Sequence, residues 1–418
     1  MDHNESPSES LSDYRARAIQ WLARHAPAHS GAARHGLAFE QDLALGRAWQ
    51  ALKAQHGYAG ITLPTIYGGA GGTELQKLAF TEEEMRYDLP TVYYSVSLSN
   101  PLPIFLKYAP EAMRRERGPA ALRGEEIWCQ MFSEPGAGSD LAALRTRAER
   151  DTERDTESEG AGWRINGQKL WTSWAQIARW GVIVVRTDPT VAKHAGLSYF
   201  FIDMQAPGVT VRPIRRLGGE HDLNEVFLDN VYVPDTQRLG AVGAGFRVAI
   251  ETLMIERYAV VDESGYAPPL EAFARVAAGQ RIAGRSALDN GEFRAALAQG
   301  LVERIGLRNI HRRALDAMAA GREPGPEGSL RKLLLGRTRQ RLAALAMDLQ
   351  GPQALQLKPG ARGGTDFTPA WLDPSLRIAG GTDEVLLNTL AERVLGLPQD
   401  HRPDKGKPFN QLVAEKAA

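Results

Sequence analysis

Phe132-Ser133-Glu134-Pro135-Gly136-Ala137-Gly138-Ser139-Asp140, followed by Trp163-Arg164-Ile165-Asn166-Gly167-Gln168-Lys169-Leu170-Trp171-Thr172-Ser173, is the stretch around which the chain is read. Pro135 cannot donate a ladder hydrogen bond, while Gly136 and Gly138 tolerate positive φ and let a bulky partner approach bare backbone amides. The first piece therefore reads as a loop shaped to contact a ligand. Asn166-Gly167 is the preferred pair for a two-residue type I′ turn, so the second piece reads as a hairpin. The strand period of two then places Trp171 and Ser173 on one face, a ring beside a hydroxyl. Either piece alone also reads as an ordinary turn and an ordinary cross-strand Trp.

Working outward, the composition is that of a globular chain with about two or three packed units: 418 residues, 43% hydrophobic and 24% charged. Lys+Arg and Asp+Glu both total 50, so no net field draws in nucleic acid or a membrane surface. The single cysteine, Cys129, cannot form an internal disulfide or a zinc-type pair, which suits a reducing cytoplasm. The acidic, Ser-rich start and the lack of any apolar run of membrane-spanning length point away from secretion and insertion.

The order of elements predicts an α+β fold. Helical patterns at Leu11–Ala26, with Tyr14, Ala18, Ile19 and Leu22 on one face, at Phe39–Gln55 and through Leu75, Leu78 and Ala79 define an N-terminal α-helical domain, 1–126. Glu82, Glu83 and Glu84 read as a solvated helix face. Strand patterns at Ile127–Phe132, Gly181–Thr187, Leu197–Met204, Val209–Ile214 and Glu225–Val233 define a middle β domain, a small barrel or sandwich, 127–238. The charged near-repeat between Glu149 and Gly160 reads as an exposed loop. Helices return at Phe246–Val261, Leu270–Ala278, Phe293–Ala320, Ser329–Leu349 and Glu384–Leu395, a C-terminal bundle over 239–398 with a tail at 399–418. Arginines between Arg294 and Arg341 read as exposed helix faces and not as a nucleic-acid surface. Gly243-Ala244-Gly245-Phe246-Arg247-Val248 lacks the last glycine and the βαβ setting of a dinucleotide fingerprint. Neither His-Glu-x-x-His nor Gly-x-Ser-x-Gly occurs.

Four motifs in order carry a family resemblance: Phe132–Asp140, the segment ending Trp171-Thr172-Ser173, Asn224-Glu225-Val226-Phe227 through Val233-Pro234, and Ile378-Ala379-Gly380-Gly381-Thr382-Asp383-Glu384-Val385 with Ala391–Pro398. Together they resemble the acyl-CoA dehydrogenases. The resemblance implies an α-helical domain, a β domain and a C-terminal four-helix bundle, FAD in the cleft, an acyl-CoA substrate and a homo-oligomer, dimer or tetramer. Residue by residue, it places Met131, Phe132 and Ser133 along the flavin ring, Ser139 towards the CoA arm, Trp171 beside the isoalloxazine and Ser173 near its N5 and O4 edge. Gly351, Thr382 and Glu384 match positions that meet the rest of FAD, partly across a subunit interface. The pattern departs where many members carry Arg-x-x-Phe-Gly for the neighbour's FAD. Here the nearest stretch is Arg281-Ile282-Ala283-Gly284-Arg285.

The family places its base in one of two positions, and the one before the Gly-Thr motif is Gly380 here. The other, as in members similar to isovaleryl- and long-chain acyl-CoA dehydrogenases, is Glu256, followed by Arg257. Independently, Ala249, Leu253, Glu256 and Val260 fall at steps of four, three and four, so Glu256 sits on an apolar helical face where desolvation raises a carboxyl pKa. The resemblance then implies α-proton removal by Glu256, the Gly380 amide on the thioester carbonyl, hydride transfer to flavin N5, a trans-2-enoyl-CoA product and reoxidation by an electron-transfer flavoprotein. A flavin oxidase, a DNA-associated relative and one subunit of a heteromeric dehydrogenase remain as alternative readings.

Overall fold

The computed structural model describes residues 9–151, 162–259, 270–320, 322, 325, 328–355 and 367–417. Six helices come first: α1 (Leu11–His25), α2 (Phe39–Gln55), α3 (Glu74–Glu84), α4 (Val92–Ser99), α5 (Pro101–Tyr108) and α6 (Glu111–Leu122). Ser10 starts α1 by accepting from Asp13 N, and Thr73 with Gln76 closes a reciprocal box at the start of α3. Tyr14, Ala18 and Leu22 enter the core with Trp49, Tyr58 and Phe80, whereas Ile19 remains exposed. The expected solvated glutamate face is wrong for two of its three residues. Glu83 and Glu84 are buried because α1 and α2 enclose α3, and they are neutralised there: Glu84 by Lys53 (3.0 Å) and Trp49 Nε1 (2.8 Å), Glu83 by Arg15 (2.9 Å) and Arg86 (3.0 Å).

The middle domain is one curled sheet of β1 (Trp128–Met131), β2 (Arg147–Arg150), β3 (Gly162–Ser173), β4 (Trp180–Arg186), β5 (Leu197–Asp203), β6 (Val209–Ile214) and β7 (Leu223–Pro234). Strand order is β1-β4-β2-β3-β7-β6, with β5 added on β4. The polar strand β2 has no counterpart in the sequence reading. Of the charged near-repeat, Glu149 and Arg150 belong to β2, and 152–161 lie outside the described residues. One face packs Trp128, Trp180 and Phe201 against Leu102 and Phe105 of α5, which welds the sheet to the first domain. The other face is lined by Met131, Ile165, Ile183, Phe200 and Ile202, and by Cys129, whose thiol burial pushes up to about 12.

The expected hairpin does not form. Asn166-Gly167 sits inside one continuous β3, where the register against β7 slips between Ile165↔Val231 and Gly167↔Leu228. Gly167 has φ 155, and a Cβ there would collide with Thr146. Asn166 turns its side-chain oxygen to the Asn230 N–H (2.8 Å), so the pair makes a bulge instead of a turn.

Helices follow: α7 (Gly245–Ala259), α8 (Leu270–Gly279), α9 (Gly291–Ala319), α10 (Gly328–Gln350), the short α11 (Thr368–Leu372), α12 (Asp383–Arg393) and α13 (Phe409–Ala417). A core of Phe273, Leu342, Ala343, Ala346 and Phe367 holds α8 to α10. Between α9 and α10, Arg331 Nη1 donates to His311 Nδ1 (2.5 Å), both residues being buried. No helix of the described residues is long and apolar enough to cross a membrane, and no group of metal-ligating side chains occurs among them.

Candidate functional site

β1 runs out into the loop 132–140, which closes on itself through Glu134 N–H to Ala137 O (2.9 Å) and Ala137 N–H to Glu134 O (3.1 Å). Neither Gly136 nor Gly138 adopts the positive φ expected of them. Their use is spatial: a Cβ on either would meet nothing within 4 Å, so the backbone is bare towards open space. Beneath the loop lies an ion pair that sequence reasoning missed. The buried Glu134 carboxylate accepts from Arg145 N (2.6 Å), Thr146 N (3.0 Å) and Lys169 Nζ (2.9 Å). Lys169, wholly buried, also donates to Phe132 O (3.1 Å) and Val184 O (2.8 Å). Burial pushes the Lys169 pKa down although Glu134 pulls it up. For Glu134 burial acts upward, and Lys169 with the amide donors outweighs it, leaving the carboxyl below its ordinary value. The available signal was a lysine amid the apolar half of β3, two residues before Trp171.

Leu170 N–H donates to Ser133 O (2.9 Å), so the loop and the end of β3 form one platform. Trp171 stands there at φ 62 with 55% of its surface exposed, at a second slip in the β3–β7 register. That backbone breaks the two-residue alternation, so the pleat does not carry the shared face expected for Trp171 and Ser173. Ser173 is half-buried and pairs with Leu223. Ser133 is half-buried, Ser139 is exposed, and Phe132 packs edge-on to Tyr199 (5.8 Å). Met131 is fully buried in the sheet core, so its side chain does not reach this surface and only main chain is offered. Trp174, at φ 58, turns away against Tyr93 (4.9 Å) and Phe39 (6.3 Å).

The remaining expected residues lie in the helical domain. Gly351, at φ 63, follows α10, and Thr382 caps α12 by accepting from Val385 N (3.3 Å). Gly380 and Gly381 take φ 67 and 102 in the turn before it, and Glu384 is exposed in its first turn. Asp383 is committed to Arg377 (2.7 Å) and Arg337 (3.2 Å). No hydrogen bond among the described residues joins Gly351, Thr382 or Glu384 to the platform. The link is indirect: Asp373 pairs with Arg216, which also pairs with Asp222 (3.1 Å), whose carbonyl takes the Trp174 N–H (2.8 Å). Glu256 and Arg257 belong to α7, but their side chains lie outside the described residues. Glu251 on the same helix is occupied by Lys107 (2.7 Å) and Tyr108 (2.9 Å) of α5. The departing stretch 281–285 forms a tight two-strand turn in which Arg281 donates to Gly284 O (3.1 Å).

A large ring held out at strained φ, bare glycine backbone facing open space and half-buried hydroxyls together suit a planar aromatic cofactor. The fold and platform define a flavoprotein of the α-helical, β and helical-bundle type. Residues 8–125, 129–231 and 243–395 match the models of the acyl-CoA dehydrogenase N-terminal, middle and C-terminal domains. The chain belongs to the acyl-CoA dehydrogenase family, oxidoreductases that carry FAD. It is similar to acyl-CoA dehydrogenase IpdE1 of Mycolicibacterium smegmatis, 34% identical over 93% of this chain and 98% of that one. Acyl-CoA dehydrogenase FadE34 of Mycobacterium tuberculosis is 42% identical over 67% of this chain, a match that spans 37% of that longer relative. Among solved structures, the ChsE4-ChsE5 complex of Mycobacterium tuberculosis superposes with a TM-score of 0.76 at 25% identity, covering 96% of this chain and 100% of that one.

Proposed function

We propose that the chain catalyses α,β-dehydrogenation of an acyl-CoA thioester to a trans-2-enoyl-CoA, with Glu256 as the base. The observation that carries this reading is the platform itself: Trp171 held out at φ 62 beside the Ser133 loop and its two bare glycines. FAD bound there supplies the hydride acceptor. Ser133, Trp171, Ser173 and the main chain of Met131 and Phe132 would hold its ring, while Gly351, Thr382 and Glu384 would meet its remainder. The first turn of α12 offers amides to an anion. The Gly380 amide donates to the thioester carbonyl and acidifies the α-carbon, Glu256 takes the α-proton, and Arg257 stands beside it in sequence. Ser139 faces the CoA arm. An electron-transfer flavoprotein takes the electrons, and the chain works as a homo-oligomer in the cytoplasm. A second reading, one subunit of a heteromeric enzyme, is favoured by the departure at Arg281–Arg285 and by likeness to a two-component complex. Mass measurement after co-expression with a genomic neighbour separates the two.

The test is anaerobic mixing of wild type and Glu256→Gln with straight, branched, aromatic and steroid acyl-CoAs while flavin absorbance is followed. Wild type bleaches with one class, and the variant keeps its FAD but does not bleach, because the amide preserves shape and cannot accept the proton. Bleaching of the variant at the wild-type rate overturns the assignment. The base would then be sought at Glu384, since Asp383 is held between two arginines.

A further inference from the structure

Past α12 the chain crosses from the helical domain to the β domain. Gln399 and Arg402 donate to Glu392 on α12 (2.9 and 3.1 Å). Asp404 pairs with Lys193 in the β4–β5 connection (2.5 Å). Phe409 is 8% exposed, donates its N–H to Val191 O (2.9 Å), and lays its ring 3.5 Å from the Arg186 guanidinium. Both cations that the segment contacts also support the loop carrying Ser139. Lys193 Nζ holds the two oxygens of Asp140 (3.0 and 2.9 Å), the neighbour of Ser139. Arg186, itself buried, donates to Ala142 O (2.6 Å) and Leu144 O (3.2 Å) in the turn that follows. The loop therefore has two anchors, Glu134 at its inner end and Asp140–Ala142 at its outer end. Between them Pro135, Gly136, Gly138 and Ser139 are exposed. The outer anchor is braced by Asp404 and Phe409.

We propose that the segment 399–417 is a positioning part of the acyl-CoA site. Through Lys193 and Arg186 it fixes where Ser139 stands, and so sets affinity for the CoA half of the substrate without entering the chemical step. The proposal rests on the assignment of Ser139 to the CoA arm. Asp404 and Phe409 act only through other side chains, so their loss should move binding and leave the flavin in place.

Free coenzyme A is titrated calorimetrically into the flavin-loaded full-length protein and into Asp404→Asn, Phe409→Ala and Ser139→Ala. The expected result is a Kd raised about tenfold in each, with FAD content close to wild type and Tm held in Asp404→Asn and Ser139→Ala, while Phe409→Ala, which empties a buried site, lowers Tm as well. Asp404→Glu and Phe409→Tyr should recover most of the affinity, and weakened CoA binding in Asp404→Asn at unchanged Tm is what separates bracing from a general loss of stability. With the acyl-CoA that bleaches wild type fastest, apparent KM should rise while the limiting reduction rate holds. Unchanged CoA affinity in both tail variants, with Ser139→Ala weakened, overturns the bracing role and leaves the Ser139 assignment standing. Unchanged affinity in Ser139→Ala, or no CoA binding by wild type, overturns that assignment and this inference with it.

Discussion

Lys169 is wholly buried with three oxygen acceptors around its ammonium, so what replaces it decides the state of Glu134. Lys169→Met leaves a buried carboxylate whose charge partner has gone, and the expected loss of stability is about 3–5 kcal/mol, measurable by denaturant titration. Lys169→Met/Glu134→Gln should regain part of it, because the orphaned charge is then gone as well. Ser173→Ala, by contrast, should leave the denaturation midpoint unchanged while weakening FAD or slowing its reduction, read by flavin fluorescence and stopped flow. Unchanged flavin affinity together with unchanged reduction would contradict the role given to the Ser173 hydroxyl. At this scale the loop 132–140 and its bare glycine backbone were legible from residue type alone. The sequence was illegible for Lys169 and for Arg216, whose burial and double ion pairing depend on strands and turns distant in sequence.

At the scale of elements, helices with a repeating buried face, such as α1, α2 and α8, were legible to within a residue or two, whereas α4, α5, α6, α11 and α13 were not singled out. Nor was β3 legible. Asn-Gly satisfies a type I′ turn and a bulge equally well in local terms, and pairing with the long β7 chose the bulge. Strand β2 escaped because its alternate residues face water and give no apolar run. The turn before α12 carries a further expectation. In Glu256→Gly/Gly380→Glu the carboxylate would occupy the family's other position for its base. Gly380 holds φ 67, a conformation that costs a side-chain-bearing residue on the order of 1–3 kcal/mol. Anaerobic flavin reduction should therefore return only weakly, a small fraction of the wild-type rate. Activity no higher than that of Glu256→Gly alone would count against Gly380 facing the α-carbon.

For the whole molecule, the order of helices, sheet and helices was legible from the change of period near Ile127 and again after Pro234, while contacts between units were not. One such contact makes stability depend on pH. His311 of α9 is held down to about 4 by burial, with Arg331 of α10 and Lys77 of α3 adding repulsion. An unfolded histidine titrates near ~6.5, so between those values the unfolded chain binds the extra proton and stability rises with pH. Acidification from about 6.5 to 4 should therefore remove on the order of 3 kcal/mol through this residue, with no further loss from it below. His311→Gln keeps an acceptor for Arg331, and its midpoint should fall less steeply over that window. Parallel midpoint-against-pH curves for wild type and variant would contradict this.

Cys129, enclosed by the sheet, has consequences of a practical kind. With its pKa near 12 it holds almost no thiolate at neutral pH, so maleimides and iodoacetamides find no target in the folded chain. Alkylation must wait until the sheet opens, and with reagent concentrated enough to outpace reclosing its rate is the rate of opening. The same silence makes a cysteine placed anywhere on the surface the sole point of attachment for a fluorophore or a spin label, with no native residue to remove first.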